Sequence, residues 1–459
     1  MTTDSMMDLT EVSLNEKPPK IQRIGNEVGY ENLSEPYAEA SFGSIDFEKQ
    51  YASAYFIRLE MLRSAIIHAA RERWVKSGTI KDSQLVGHVK SYKSGDEDVS
   101  LVGVLFKDMK LKPSVLCDIQ ENLKISEQFM QYTDISLISH KLNEEDTLFL
   151  EDMEARLQLV FNEKSVLDGL PTGVVVAVLG RINDLGFFEV RDLCLPGYSS
   201  PDPLPLNKPP VYVAFVSGLM IGSPKTDPLA LQLLRDFLMG VSVSSADREL
   251  ASKIARLVVA GDSLFVSTEK DPTGSCLADA DVFLSEIASV MPVDVMAGPR
   301  DPTNYCLPQQ PLHSGLFPEG RRYKNLSVLT NPYKFKLGDV IMLGTSGQNV
   351  TDIIQYTSAE NGLTALDVIA QSRYLAPTAP DTLGCYPFTT IDPLVLQGDS
   401  VHVLFAGNQS ETKVKAVADG RQCLACVADF SVAPSCLVIN VNDLRDSRVI
   451  RFEVPKMMD

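Results

Sequence analysis

The chain has 459 residues, which at roughly 150 residues per domain predicts two or three domains. Apolar residues make up 44% of the chain and charged residues 22%, a balance typical of globular proteins whose large core needs no disulfides or structural metal. Acidic residues number 60 against 42 Lys and Arg, so the net charge is −18. This argues against nucleic acid as the main partner of the whole surface, because Lys and Arg drive phosphate binding, although it allows a local basic patch.

Cysteine and histidine usage gives little support to a metal site. The eight cysteines are scattered along the chain, which is typical of reduced, mostly buried thiols in a cytosolic or nuclear protein. Only Cys423 and Cys426 lie close together, and without a second pair we interpret them as small apolar side chains of a strand rather than zinc ligands. The acidic start of the chain and its short apolar runs predict neither a secretory signal nor a membrane partner.

Residues 1–40 are rich in Ser, Thr, Pro, Glu and Asn and show little periodicity, so we predict a flexible N-terminal tail. Beyond it, apolar residues recur at spacings of three and four: Tyr51, Tyr55, Leu59, Leu62 and Ile66. This pattern predicts a helix that begins near Phe47, ends near Trp74 and carries Arg58 on its polar face. We expect the helix to pack on its own domain; a partner-binding helix is the alternative.

Strand signals dominate the next part of the chain. Five runs are rich in apolar and β-branched residues: 99–106, 148–150, 157–161, 173–181 and 187–195. The turn at 183–186 joins the last two as a hairpin. Several strands within about 100 residues, together with one helix, predict a small barrel such as an OB-fold. Prolines between 201 and 210 indicate a stiff linker, so residues 41–200 are assigned to a helix and OB-fold domain.

The second half, residues 201–459, is predicted to be a layered α/β domain. Continuous apolar runs there indicate strands buried on both faces: 211–216, 255–260, 293–297, 340–343, 401–406 and 436–441. Asp227 as N-cap, Pro228 at the first helical position and Gly240 after the end predict a helix. Its apolar face is assigned to four residues: Leu229, Leu233, Leu234 and Phe237. A second helix is predicted over 277–290.

Several long motifs in this half are specific to one family. They are MPVDVM at 291–296, DPTNY at 301–305, LPQQPLH at 307–313, LGTSGQN at 343–349 and APTAPDTLGCYPF at 376–388. In this order they resemble the small, or B, subunit of eukaryotic replicative DNA polymerase delta. Segments 47–63 and 150–159 resemble the N-terminal half of the same family, so the resemblance covers nearly the whole chain after the tail.

The resemblance implies a fold of class α/β plus β: an OB-fold barrel joined to a calcineurin-like phosphoesterase domain that has lost its metal site. It also implies a non-catalytic accessory subunit, located in the nucleus and active in DNA replication and repair synthesis. Such a subunit links the Cys-rich C-terminal module of the catalytic subunit to a third, elongated accessory subunit, and through it to the sliding clamp. The resemblance implies no cofactor, and DNA contact only weakly or through the complex.

Active phosphoesterases of this fold bind two metals through Asp-x-His, Gly-Asp-x-x-Asp, Gly-Asn-His-Asp/Glu and Gly-His-x-His motifs. The resemblance aligns these motifs, in order, with Ser217 and Leu219, Asp262 and Phe265, Pro299 and Arg300, and Asn408 and Ser410. These eight positions are predicted to be vestigial. Arg300 puts a fixed positive charge where a metal would sit, and only two histidines, His313 and His402, lie in the α/β half. We expect no catalytic or metal-binding residues.

Three other functions stay open on the sequence. One is a B subunit of another replicative polymerase, alpha or epsilon. Another is an atypical metallophosphoesterase, which the missing ligands disfavour. The third is a single-strand binder that uses the OB-fold, because the strand after residue 186 offers Phe187, Phe188 and Arg191, although three acids lie beside them: Asp184, Glu189 and Asp192. We further predict that Asp262 and Asp301 pair with backbone amides and that the two domains pack as one unit.

Overall fold

The computed structural model describes residues 23, 28–39, 51–86, 97–112, 140–204, 208–242, 244–266, 273–396, 398 and 401–452. Within these residues the α-helices are α1 Ala52–Ala70, α2 Lys164–Gly169, α3 Pro228–Met239, α4 Ser245–Ser252, α5 Thr273–Ala288, α6 Gln348–Tyr356 and α7 Gly362–Ser372. The strands of the first half and the N-terminal segment are β1 Tyr30–Asn32, β2 Leu85–Val86, β3 Val99–Asp108, β4 Thr147–Glu151, β5 Arg156–Phe161, β6 Val175–Ile182 and β7 Phe188–Cys194. The remaining strands are β8 Tyr212–Val216, β9 Ile254–Val259, β10 Val293–Met296, β11 Leu326–Leu329, β12 Tyr333–Leu337, β13 Val340–Thr345, β14 Val403–Gln409, β15 Lys413–Val417, β16 Gln422–Ala428, β17 Ser435–Asn440 and β18 Ser447–Arg451.

Strands β3 to β7 close into a five-stranded barrel. The order is β3-β4-β5-β7-β6, and β6 pairs back with β3, with Val99 opposite Gly180. All neighbours are antiparallel except β5 and β7, which run parallel. A closed five-stranded barrel of this kind is an OB-fold, and its interior is filled by alternate apolar side chains such as Leu101, Leu150 and Phe188. The five predicted strands and the hairpin turn are confirmed.

The second half consists of two stacked six-stranded sheets between helices. One sheet has the order β11-β10-β9-β8-β17-β18 and the other β1-β12-β13-β14-β16-β15. Aromatic side chains such as Phe215 and Phe405, whose ring centroids lie 5.0 Å apart, fill the space between the sheets. Helices α3 and α5 cover the outer face of the first sheet, and α6 and α7 that of the second. The result is a four-layer α/β arrangement with strands buried on both faces.

Helix α3 begins and ends where the sequence predicts. The Asp227 side chain accepts a hydrogen bond from the backbone N–H of Leu229 at 2.9 Å, and Gly240 has a left-handed φ of 75°. The predicted apolar face is wrong at two positions, because Leu229 is 45% exposed and Leu233 40% exposed. The stripe that faces the sheet consists instead of Ala230, Leu234, Phe237 and Leu238. This stripe is rotated around the helix axis from the predicted one.

Helix α1 lies between the barrel and the α/β layers. It buries Leu59, Leu62 and Ile66 in one cluster that also contains side chains of barrel strands β3 and β6 and of helices α6 and α7. The assignment of Arg58 to a polar face is wrong: this side chain is fully buried. Its position three residues after Tyr55 and four before Leu62 places it within the buried stripe. Its guanidinium therefore meets main-chain carbonyls instead of water.

The predicted flexible tail is wrong for residues 28–39. Strand β1 pairs antiparallel with β12, with Tyr30 opposite Leu337. The Tyr30 hydroxyl lies 3.0 Å from that of Tyr333, and its ring covers the guanidinium of Arg256 at 3.5 Å. Backbone pairing and one aromatic side chain hold a segment whose polar composition alone predicts disorder. The other tail residues, apart from Arg23, lie outside the described residues.

Candidate functional site

Loops from both sheets meet at the carboxyl ends of their central strands. Strands β8, β9 and β10 of one sheet and β13, β14 and β16 of the other each carry or precede a polar residue there. We call these residues the strand-end cluster: Ser217, Asp262, Arg300, Ser346, Asn408 and Asp429. Ligand sites of open α/β sheets form at this end of the strands, so the cluster is the candidate functional site.

The guanidinium of Arg300 occupies the centre of the strand-end cluster. Its Nε donates to Asp262 at 2.8 Å, and its Nη2 donates to Asp429 at 2.6 Å. The backbone N–H of Arg300 donates to the other oxygen of Asp262 at 2.7 Å. Both carboxylates are buried, with 1% and 9% of their side-chain surface exposed. One cation thus joins loops from three strands, because β9 precedes Asp262, β10 precedes Arg300 and β16 precedes Asp429.

Asn408 and Ser217 continue the network across the two sheets. The backbone N–H of Asn408 donates to the Ser217 hydroxyl at 2.8 Å, and that hydroxyl donates to the carbonyl of Ala428 at 2.9 Å. The Asn408 amide donates to the carbonyl of Ser346 at 2.9 Å, and its oxygen accepts from Arg300 at 3.4 Å. The polar groups of the cluster therefore satisfy one another.

Asp301 supports the loop that carries Arg300. Its carboxylate accepts backbone N–H groups from Asp262 at 2.8 Å, Gly298 at 2.9 Å and Leu264 at 3.1 Å. This confirms the prediction that Asp301 pairs with backbone amides. Asp262 also accepts an amide, that of Arg300, but its ion pair adds a role that amide pairing alone does not predict.

The backbone around the cluster is close-packed and locally strained. A Cβ atom on Gly407 would lie 2.2 Å from the carbonyl oxygen of Ala260, so only glycine allows the two sheets to approach here. Asp262 and Asn408 adopt left-handed φ values of 56° and 52°. Strain of this kind persists where surrounding contacts fix the chain, as the hydrogen bonds to Arg300 and Ser217 do here.

The charges of the cluster are unequal, since one guanidinium faces two buried carboxylates and a third carboxylate, that of Asp301, acts on Asp262 from the supporting loop. Burial alone lowers the pKa of Arg300, but Asp262 and Asp429 outweigh it and raise the pKa, so the cation is permanent. Burial raises the pKa of Asp262, and the guanidinium of Arg300 opposes that shift. Burial also raises the pKa of Asp301, and the neighbouring carboxylate of Asp262 adds to the effect.

The structure brings together four of the eight predicted positions: Ser217, Asp262, Arg300 and Asn408. Leu219, Phe265 and Pro299 have no polar side-chain atom to contribute, and Ser410 is exposed beyond the end of β14. Sequence reasoning missed Asp429. The sequence feature that points to Asp429 is its place directly after the apolar segment that forms β16. In the structure, Asp429 forms an isolated parallel bridge with Ser217.

The histidines and the paired cysteines have structural roles. The Nδ1 atom of His402 accepts from the backbone N–H of Ile341 at 3.1 Å, and that of His313 accepts from Gly315 at 3.1 Å. This confirms both as hydrogen-bonded structural side chains. Cys423 and Cys426 lie in β16 as predicted, and burial raises the pKa of both thiols to about 12. In the described part of the chain, no three His, Cys, Asp or Glu side chains form a metal-binding group.

Comparisons with known proteins all find subunits of DNA polymerases. Residues 50–193 match the model of the DNA polymerase delta subunit OB-fold domain, and residues 213–415 match that of the DNA polymerase alpha/epsilon B subunit. The DNA polymerase delta small subunit of Oryza sativa subsp. japonica is 35% identical, over 91% of this chain and 96% of the relative. DNA polymerase delta subunit 2 of Drosophila melanogaster is 32% identical, over 93% and 98%. The delta small subunit of Saccharomyces cerevisiae is 31% identical, over 92% and 93%. None of the helices among the described residues is both long and apolar enough to cross a membrane.

Proposed function

The chain belongs to the family of DNA polymerase delta small subunits, accessory subunits of a replicative polymerase, and we propose that it acts as the non-catalytic scaffold of that complex. In this proposal it binds the Cys-rich C-terminal module of the catalytic subunit and also the third, elongated accessory subunit. The third subunit then connects it to the sliding clamp. Its place of action is the nucleus, in replication and in repair synthesis.

The observation that carries this proposal is the common core of the two domains. Leu59 of α1, Val175 of the barrel and Ile369 of α7 belong to one cluster of buried side chains. The guanidinium of Arg58 adds polar links, donating to the carbonyl of Gly173 in the barrel at 2.7 Å and to that of Ala379 in the α/β half at 2.7 Å. A barrel and an α/β body fixed in this way offer a joint surface, and a stable subunit contact needs about 1,200–2,000 Å² in total.

The α/β half supports a further proposal, that it is a calcineurin-like phosphoesterase fold without phosphoesterase chemistry. The features that support this proposal are the two stacked sheets, the helices on their outer faces and the strand-end cluster. Two catalytic metals need carboxylate and imidazole ligands, but Arg300 donates to both Asp262 and Asp429 here. The residues present therefore do not fit a dimetal centre. Two bound transition metals per purified chain, with phosphatase activity that Asp262→Ala abolishes, would contradict this.

A B subunit of polymerase alpha or epsilon is the second candidate, and one observation favours it. The family model matched by residues 213–415 bears the alpha/epsilon name. The barrel, however, matches the delta model over residues 50–193, and delta small subunits align over more than nine-tenths of this chain. The delta assignment therefore takes precedence.

The scaffold proposal is tested by capture of the catalytic subunit's C-terminal module from purified components, with nuclease present. Three proteins are compared: the full chain, residues 41–200 and residues 201–459. We expect the full chain to retain the module without DNA, and each part to bind more weakly or to fold poorly, because each loses the side chains that the other part contributes to the common core. If the full chain fails to retain the module but binds single-stranded DNA tightly at physiological salt, the nucleic-acid function replaces the scaffold.

A further inference from the structure

An exposed basic turn stands out against the acidic background of the chain. Residues 319–324, here called the basic turn, contain Arg321, Arg322 and Lys324, and all three side chains are exposed. The acid of the turn, Glu319, pairs with Arg322 at 2.5 Å. Of the carboxylates that the structure describes, none lies within ion-pair distance of Arg321 or Lys324. Two cations are thus presented to solvent in a protein of net charge −18.

The backbone of the basic turn is held in one conformation. The buried carboxylate of Asp281, on α5, accepts the backbone N–H groups of Glu319 at 2.7 Å and Gly320 at 2.8 Å. The N–H of Arg321 donates to the carbonyl of the buried Phe317 at 3.0 Å. A Cβ atom on Gly320 would lie 2.3 Å from a methyl carbon of Leu326, so the turn is packed against the body. A fixed turn presents its cations without a large ordering cost on binding.

We propose that the basic turn is a contact site for a DNA strand. Guanidinium groups bind phosphate through paired N–H donors, and two of the three cations are arginines. Tyr323 lies between Arg322 and Lys324 and is 40% exposed, which leaves a ring face on which a base can stack. This goes beyond the scaffold function, which needs no DNA contact by this chain.

The combination of features favours a DNA strand over an acidic protein segment. An acidic peptide would pair with Arg321 and Lys324 but would leave the exposed ring of Tyr323 without a role. A DNA strand would contact both features, because its phosphates would pair with the cations and one base would stack on the ring of Tyr323. Because the rest of the surface is acidic, the contact is local, weak and strongly dependent on salt.

The test measures binding of the full chain to a fluorescent single-stranded oligothymidylate by anisotropy over a range of salt concentrations. One variant carries Arg321→Gln, Arg322→Gln and Lys324→Gln. The matched control carries Lys76→Gln, Lys164→Gln and Lys225→Gln, which removes the same charge from three exposed lysines on separate elements. We expect the turn variant to bind at least about tenfold more weakly at low salt, with the slope of log K against log salt reduced by about two, and the control to bind like the unaltered chain.

A single substitution separates stacking from charge. Tyr323→Ala is expected to weaken binding about tenfold while leaving the salt slope unchanged, because the ring contributes no counterion release. All the substituted side chains are exposed, so melting temperatures and capture of the catalytic module are expected to stay the same. Equal losses in the turn variant and the control would overturn the proposal, as would no binding by the unaltered chain at low salt. Polyglutamate is the probe for an acidic peptide. If the turn variant loses polyglutamate binding but binds DNA like the unaltered chain, the basic turn is a contact site for an acidic protein instead.

Discussion

Arg300 shows how one buried cation can join two carboxylates where strands end. Its guanidinium holds Asp262 and Asp429, two buried carboxylates that would otherwise repel each other. We expect Arg300→Met to lower the free energy of unfolding by about 3–5 kcal/mol, because removing one partner of a buried ion pair leaves uncompensated charge. Urea denaturation followed by far-UV circular dichroism measures this change.

A surface ion pair provides the control for Arg300. Arg322 pairs with Glu319, and both side chains are about half or more exposed, so Arg322→Met should change stability by less than about 0.5 kcal/mol. Adding Asp262→Asn and Asp429→Asn to Arg300→Met should restore part of the lost stability, since the excess negative charge is then removed. Equal effects of Arg300→Met and Arg322→Met would show that the central guanidinium does not stabilise the loops.

Asp352, on α6, should make stability depend on pH. Burial raises the pKa of this carboxyl to about 6, against a hydrogen bond from Thr382 at 2.5 Å that favours the anion. The folded state therefore binds a proton more tightly than the unfolded chain. The protonated Asp352 carboxyl therefore contributes to the free energy of unfolding near pH 4, and this contribution is lost as the pH rises through about 6.

The variant Asp352→Asn is expected to remove this dependence. A neutral amide avoids the cost of a buried anion, so the melting temperature at pH 8 should rise relative to the unaltered chain, by the equivalent of up to about 3 kcal/mol. The difference between the two proteins should shrink as the pH is lowered toward 4. Thermal melts over this pH range measure it, and parallel curves for the two proteins would refute the assignment.

At the scale of elements, continuous apolar runs were sufficient to predict the central strands of both sheets. Strands β8, β9 and β10 coincide closely with predicted runs, since burial on both faces leaves a simple pattern. Edge strands such as β15 and β18 were missed, because their exposed residues interrupt the apolar pattern. Strand β1 was missed for a different reason: its three residues are all exposed, and only pairing with β12 orders them.

The N-terminal segment offers a direct test at this scale. Deleting residues 1–39 removes β1, the Tyr30–Tyr333 hydrogen bond and the cover over Arg256, so we expect the melting temperature to fall by several degrees. Deleting residues 1–22 alone is predicted to leave the melting temperature unchanged. Differential scanning fluorimetry compares both with the full chain. The same melting temperature after both deletions would mean that β1 adds nothing to stability.

At the scale of the whole molecule, the alignment with phosphoesterase metal-binding motifs predicted which residues come together but not how they interact. Asp262, Arg300 and Asn408 come from three separate motifs, and the fold brings all three together. Asp429 lies outside these motifs, 129 residues from its partner Arg300. A pairing of that separation is fixed by the stacking of the two sheets, which no local pattern in the sequence encodes.

The common core of the two domains predicts that they unfold together and that Arg58 couples them. The buried guanidinium donates to Tyr374, whose hydroxyl donates in turn to Asp392. Arg58→Met would leave this carboxylate and several carbonyls without their cation, so we expect a loss of about 3–5 kcal/mol. Loosening of the contact should let the barrel and α1 unfold before the α/β layers.

The single tryptophan makes that uncoupling measurable. Trp74 lies just beyond α1 and its Nε1 donates to Asp192 of the barrel at 2.8 Å, so its fluorescence reports the barrel side, whereas far-UV circular dichroism reports all elements. In the unaltered chain both signals should change at the same urea concentration, and in Arg58→Met the fluorescence midpoint should fall below the dichroism midpoint. Arg71→Met is the control, because Arg71 makes an exposed ion pair with Asp82 and should leave the midpoints coincident. Separate midpoints in the unaltered chain would mean that the domains are independent, and the joint surface required of a scaffold would then lack its physical basis.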